Sequence, residues 1–139
     1  MMLIKEIMSA NLIKVDMDAT LETVRNYLNN HNFHHILVTD KDLLLGIVSD
    51  RDILRWITPA LDTVNETRHD RNILRKRVHQ IMTRHPVTVT PTDRISEAAR
   101  KILTSNVSCL PVIDESNQVI GIVSWKDLLK CYIESDKTM

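Results

Sequence analysis

The sequence predicts an α+β fold in which one βαββα unit is written twice, and three observations carry that prediction. Residues 7–41 align with 81–115 at a constant offset of 74, which pairs Ile7-Met8-Ser9 with Ile81-Met82-Thr83, Val15 with Val89, Asn32 with Asn106, Val38 with Val112 and Asp40 with Asp114. After one residue inserted in the second copy, Gly46-Ile47-Val48-Ser49 matches Gly121-Ile122-Val123-Ser124, and Asp52 matches Asp127. The chain contains 2 glycines, and they fall at equivalent positions.

Each copy opens with a short strand, Leu12–Val15 or Val87–Val89. The period then becomes helical, with Leu21, Val24 and Leu28 in copy one and Ile95, Ala98, Ala99, Ile102 and Leu103 in copy two. Ile36–Thr39 and Leu110–Ile113 are apolar enough for buried strands. The polar turns Asp40-Lys41-Asp42 and Asp114-Glu115-Ser116-Asn117 lead into Leu43–Val48 and Val119–Val123. A closing helix carries Ile53, Leu54 and Ile57, or Leu128, Leu129 and Tyr132. One such unit would have a marginal core by itself, so the two copies are expected to share one core. The expected layout is repeat one at 3–57, a connecting segment at 58–77 and repeat two at 78–133.

In the connecting segment, Thr58-Pro59 resembles a helix start, and the polar run 65–70 reads as a loop. Ile73, Leu74, Val78 and Ile81 suit a short amphipathic helix into copy two. Its basic triplet Arg75-Lys76-Arg77 has no aromatic neighbours and reads as a solvated helix face, not a nucleic-acid footprint.

Composition excludes several classes. Hydrophobic residues make up 43% of the 139, and 18 Lys and Arg balance 18 Asp and Glu, which argues against a polyanion-binding protein. The start lacks the apolar core of a signal peptide, and no apolar run approaches the roughly 20 residues needed to span a bilayer. Cys109 and Cys131 lie in apolar segments without metal-type spacing and read as thiols in a reducing compartment, which points to the cytoplasm.

The junction of third strand and closing helix carries the functional signal. Ser49-Asp50-Arg51-Asp52 and Ser124-Trp125-Lys126-Asp127 have the pattern of a helix N-cap with an acid three residues on, which accounts for them structurally. The same geometry also suits a nucleoside phosphate. Free amides at a helix start receive phosphate, a carboxylate accepts two hydrogen bonds from a ribose diol, and apolar residues before the Ser flank a base.

With these motifs in order in both copies, the chain resembles a pair of cystathionine-β-synthase (CBS) domains, the tandem also called a Bateman module. The resemblance covers 3–57 and 78–133. It implies a stand-alone tandem of two βαββα repeats, packed with pseudo-two-fold symmetry into one module. The implied function is regulatory: binding of AMP, ADP, ATP or S-adenosylmethionine in clefts between the repeats, in a homodimer that signals to an unidentified effector protein. No cofactor is required beyond that ligand, and neither nucleic acid nor membrane is an expected partner.

Carried over by residue, the resemblance implies one cleft of Ile47, Ser49 and Asp52 with Thr83, Thr88, Val107, Ser108 and Cys109. The other combines Ile122, Ser124 and Asp127 with Ser9, Lys14, Phe33, His34 and His35. The Asp residues would hold ribose, the hydroxyls would reach ribose or phosphate, and backbone beside Val107 and Phe33 would read the base edge. Leu37 stands where copy two has the family's common Pro111. With Lys126, Lys14, His34 and His35 on one side and Asp50 on the other, phosphate is expected to prefer the Asp127 cleft.

Three other readings compete. A metal site at His34-His35 is disfavoured because adjacent strand residues point to opposite faces. An enzyme would need a catalytic signature, and neither a G-x-S-x-G elbow, a Walker A loop nor H-E-x-x-H occurs. A ligand-free interaction module with vestigial clefts remains open, because fold does not fix function.

Overall fold

The computed structural model describes residues 2–30 and 33–136; the expected match of Asn32 with Asn106 lies outside the described residues. The described residues form two compact units: one of residues 13–85, and one that joins the start of the chain, up to residue 12, to the part from residue 86 onward.

The first unit contains β1 (Lys14–Val15), α1 (Leu21–Asn30), β2 (His35–Asp40), β3 (Leu43–Ser49), α2 (Asp50–Leu54), α3 (Arg68–Ile73) and β4 (Thr83–Arg84). Its four strands lie in the order β1-β2-β3-β4. β1 runs parallel to β2, and both β2–β3 and β3–β4 are antiparallel. The hairpin turn is tight because Lys41 and Asp42 both take positive φ, 50° and 68°, the conformation that matches strand twist in a two-residue loop.

The second unit repeats this plan with α4 (Ile95–Ser105), β5 (Cys109–Ile113), β6 (Val119–Ser124) and α5 (Trp125–Asp136). β5 and β6 form the hairpin, and single bridges replace the outer strands: Val89 beside Val112 in parallel and Ser9 beside Ile122 antiparallel. The inserted residue lengthens the turn, where the Asp114 carboxylate accepts from the amides of Ser116 (2.8 Å) and Gln118 (3.0 Å) and Asn117 takes φ 63°.

The copies exchange their lead-in segments. The 3-10 turn Val78–Gln80, which opens copy two, packs in the first unit, where Val78 N donates to Ala19 O at 2.7 Å and His79 N to Met17 O at 3.1 Å. The 3-10 turn Ile4–Glu6, which opens copy one, packs in the second unit, with Ile4 N donating to Asp93 O and Lys5 N to Pro91 O, each at 2.9 Å. Through this exchange each unit gains a buried cluster that includes the other copy's lead-in. Val78 and Met82 join Val15, Leu21, Val24, Ile36, Val38, Val48 and Ile53 in one cluster. Ile4 joins Val89, Ala98, Ile102, Leu110, Val112 and Val123 in a separate one. Each lead-in supplies the apolar volume that a single repeat lacks, so each unit closes a core of its own.

The connecting segment also departs from its sequence reading. Thr58-Pro59 starts a run of turns, and the helix forms at Arg68–Ile73, beginning inside the expected loop and ending where the expected helix would begin. Thr67 is its cap: Asp70 N donates to Thr67 Oγ1 (3.1 Å) and Thr67 N to the Asp70 carboxylate (2.9 Å), a reciprocal box that local sequence carried and apolar periodicity hid. The helix ends at Ile73, and no helix continues to 81. The carbonyls of Leu74 and Lys76 instead accept from Glu22 N and Leu21 N, the first amides of α1. The opening strands are also shorter than expected, and α2 stops at Leu54, before Ile57.

The two glycines mark where the lead-ins cross the hairpins. Neither has positive φ, so space and not backbone freedom requires them. A Cβ on Gly46 would lie 2.6 Å from Met82 Sδ and 2.8 Å from the Thr83 carbonyl oxygen. A Cβ on Gly121 would meet Met8 Sδ at 2.7 Å, but the Ser9 carbonyl only at 3.2 Å. A methionine side chain can move aside more cheaply than backbone. Gly46→Ala is therefore expected to destabilise the protein by about 1–3 kcal/mol and Gly121→Ala by less. Denaturant unfolding of the two variants measures the order; equal or reversed losses would contradict it.

Candidate functional site

Each strand–helix junction is fixed by its cap. Ser49 ends β3 with extended backbone, φ −104° and ψ 166°. Its hydroxyl accepts from Asp52 N at 3.2 Å, and Asp52 Oδ2 accepts from Ser49 N at 2.9 Å. Asp52 Oδ1 stands 3.8 Å from an Arg55 guanidinium nitrogen. In the second unit Asp127 Oδ2 accepts from Ser124 N at 2.8 Å and from the Ser124 hydroxyl at 3.1 Å, while Asp127 N donates to Ser124 Oγ at 3.3 Å. The capping role is thus real at both junctions. It uses the same carboxylate oxygen, Oδ2, and leaves Oδ1 outside the box.

The hairpin register decides what faces each junction. His35 lies opposite Ser49, and Ile47 lies opposite Thr83. Cys109 lies opposite Ser124, and Ile122 and Ser9 exchange both backbone hydrogen bonds at 2.9 Å. Within each hairpin the strand entry therefore pairs with the serine end of its own copy. The reason is local: a short hairpin returns β3 or β6 antiparallel along the strand just laid down. Thr83 and Ser9 are the members that come from the other copy, through the exchanged lead-ins.

The first unit thus gathers Lys14, Phe33, His34, His35, Ile47, Ser49, Asp52 and Thr83. Lys14 turns away from the junction, with its ammonium 3.1 Å from Asp42 at the hairpin turn. His34 Nδ1 lies 3.0 Å from Asp50 Oδ2, and Asp50 N donates to His34 O at 3.0 Å. This pair was not visible to sequence reasoning, since the residues lie 16 apart and only the register joins them. Burial holds the His35 imidazole below its ordinary pKa, opposed by the charges of Asp50 and Asp52. Phe33 is half-buried just before them.

The second unit gathers Ser9, Thr88, Val107, Ser108, Cys109, Ile122, Ser124, Lys126 and Asp127. Trp125 N donates to Ser108 O at 3.0 Å, the counterpart of the Asp50–His34 backbone bond. The Thr88 carbonyl accepts from Lys101 Nζ at 2.7 Å, and Val107 N donates to Ile102 O at 3.2 Å. The Lys126 ammonium stands 5.8 Å from the Trp125 ring centroid. A groove of about 490 Å³ reaches Asp127 from the α5 side, lined also by Glu6, Lys130 and Glu134. Its excess of acids makes it a poor phosphate seat. Burial, with a smaller contribution from Asp127, pushes the Cys109 thiol up to about 12.

The fold and these paired junctions are those of a known class, and the comparisons agree. The CBS domain family profile matches residues 4–59 and 78–134, and the chain belongs to that family. A CBS domain-containing protein of Dictyostelium discoideum is 37% identical over 134 residues, 95% of this chain and 92% of that protein. The CBS domain pair of protein MJ0100, solved with 5′-methylthioadenosine and S-adenosyl-L-methionine, is 27% identical with a TM-score of 0.79, covering 96% of this chain and 98% of its own. CBSX2 in complex with AMP is 25% identical with a TM-score of 0.78, with the same shares covered. A homoserine O-acetyltransferase of Methanosalsum zhilinae is 27% identical to 91% of this chain, which spans only 23% of that enzyme.

A thiol buried to 5% exposure and titrating near 12 is almost wholly protonated at pH 8, and the thiolate is the reactive form. Native protein is expected to take up one equivalent of iodoacetamide, at the more exposed Cys131, and a second only on unfolding. Rapid native alkylation of Cys109, read by peptide mass spectrometry, would contradict this.

Proposed function

We propose that the chain is a regulatory sensor of an adenosine-type ligand, bound at its Ser-x-x-Asp junctions. The observation that carries this reading is the duplicated junction itself. In both units a serine hydroxyl and an aspartate carboxylate are held by a cap, with Oδ1 of the carboxylate outside it. Relatives of the same fold at 25–27% identity were solved with AMP or with methylthioadenosine and S-adenosylmethionine. In this reading Asp52 and Asp127 take the ribose diol, Ser49 and Ser124 reach ribose or phosphate, and Ile47 and Ile122 flank the base. The remaining site residues are Ser9, Lys14, Phe33, His34, His35, Thr83, Thr88, Val107, Ser108, Cys109 and Lys126. The ligand is regulatory and not a cofactor, and the chain performs no catalysis of its own. The reading keeps the expectation of a reducing compartment, the cytoplasm, with which the free cysteines Cys109 and Cys131 agree, and no described helix is long and apolar enough to cross a membrane.

A ligand shifts a conformational equilibrium by its differential affinity for the two states, and the output passes to an effector protein or through dimer geometry. The dimer surface in this reading is α5. Trp125, Leu129, Tyr132 and Ile133 recur at helical spacing and are 47–68% exposed, and α5 buries no residue fully. That stripe also favours the second reading, an interaction module whose junctions only cap helices.

Thermal unfolding with adenine nucleotides separates the two. AMP or ATP at about 100 times its dissociation constant is expected to add roughly 2.7 kcal/mol of stability. A panel of adenosine phosphates and S-adenosylmethionine without any shift at millimolar concentration leaves only the interaction module. Light scattering tests the surface independently: the wild type is expected to be a dimer and Leu129→Glu a monomer of unchanged secondary structure. A monomeric wild type across a wide concentration range would refute the dimer.

A further inference from the structure

The end of the β2–β3 hairpin collects two imidazoles and two carboxylates. His35 pairs with Ser49 as the terminal rung of the ladder, and just beyond it Asp50 N donates to His34 O at 3.0 Å. His34 Nδ1 lies 3.0 Å from Asp50 Oδ2, and Asp52 closes its box on Ser49. In the β5–β6 hairpin the places of His34, His35 and Asp50 are taken by Ser108, Cys109 and Trp125, which leaves Asp127 alone of that set. We propose that His35 is a proton-responsive latch of the first unit: on taking up a proton it opens the His35–Ser49 end of the hairpin, and the Cys109–Ser124 end of the second unit has no such response. The latch lies beyond the sensor reading and needs no ligand.

The geometry leaves a charged His35 ring badly served. The residue is half-buried, and burial holds its imidazole below the ordinary pKa. His34 adds to that effect, whereas Asp50 and Asp52 oppose it. Neither carboxylate can turn to a new cation without giving up a contact. Asp50 Oδ2 holds His34, Asp52 Oδ2 holds Ser49 N, and Asp52 Oδ1 stands 3.8 Å from Arg55. The flanking strands bring Lys14, turned to Asp42, and Arg84, which donates to the His79 carbonyl, while Arg51 is exposed on α2. A protonated His35 is therefore relieved by leaving its rung or by drawing a carboxylate off the cap, and either loosens the same end. The end of a ladder also opens at lower cost than its middle. A proton on His34 works in the opposite sense, because it makes the contact with Asp50 charge-assisted. Open chain binds a proton that the closed rung disfavours, so the closed form loses ground as pH falls below about 6.5, the ordinary imidazole value. In the second unit burial pushes the Cys109 thiol up to about 12, outside that range.

Asp50 N and Trp125 N make the same 3.0 Å bond to the strand entry in the two units, so one reports the latch and the other is its reference. Amide hydrogen exchange of the full chain, read by NMR and corrected for the intrinsic rate at each pH, measures both. Protection of Asp50 N is expected to fall relative to Trp125 N between about pH 7.5 and 5.5, by no more than the roughly tenfold per pH unit that one proton allows. His35→Cys, which installs the residue of the second unit, is expected to hold the ratio constant, and His34→Gln to keep a decline. Titration of the His35 ring signals in the wild type needs no variant and is expected to fall below about 6.5. A constant ratio in the wild type, an undiminished decline in His35→Cys, or a His35 ring that titrates at or above the ordinary value overturns the latch. None of these measurements contains a nucleotide, so the sensor reading stands or falls separately.

Discussion

The close approach of each lead-in to a glycine of the other copy's hairpin is the constraint on which the rest depends. Met82 and Thr83 cross β3 at Gly46, and Met8 and Ser9 cross β6 at Gly121, so closely that an added Cβ would force a neighbour to shift. This crossing brings Val78 and Met82 into one core and Ile4 into the other. A βαββα repeat of under about 60 residues has only a marginal core by itself. Here the deficit is met by a segment covalently attached to the other copy. Neither compact unit is therefore a continuous repeat of the sequence, although the repeat is what makes the exchange reciprocal.

The same crossing builds the sites. Thr83 pairs with Ile47 and Ser9 with Ile122, each two residues before a capping serine. The junction is thus framed on one side by the hairpin's own strand entry and on the other by the exchanged segment. Each Ser-Asp box anchors its carboxylate through one oxygen, so the polar group that the proposed function assigns to ligand is already held by native hydrogen bonds. Capping and binding are not competing explanations in this geometry. A carboxylate locked by its cap loses little rotamer freedom when it meets a diol, which lowers the entropic cost of recognition.

Much of this was legible in the sequence, and the failures have physical causes. The repeat offset, both helices of helical period and both hairpins follow from local patterns: Leu21 and Val24 are buried in α1, and Ala98 and Ile102 in α4. The family was legible from motif order alone. The exchange of lead-ins was not, because a two-residue strand or a single bridge leaves no periodicity to read. Only the register shows that His35 faces Ser49 and Cys109 faces Ser124. In the connecting segment apolar spacing outweighed the Thr67–Asp70 box, and the box was the correct signal.

Duplication with exchange also explains how the two junctions could diverge. Each capping serine and aspartate is constrained by its helix and, under the proposed function, by the ligand as well, and both are retained in both copies. The residue just after the serine is constrained only through its backbone amide, which bonds the strand entry in either case. Its side chain is free to differ without cost to the fold: Asp50 is 45% exposed and Trp125 47%. A position whose backbone is structural and whose side chain is solvent-facing can acquire ligand preference without endangering stability. The asymmetry between the copies therefore falls where the constraints of the fold are weakest.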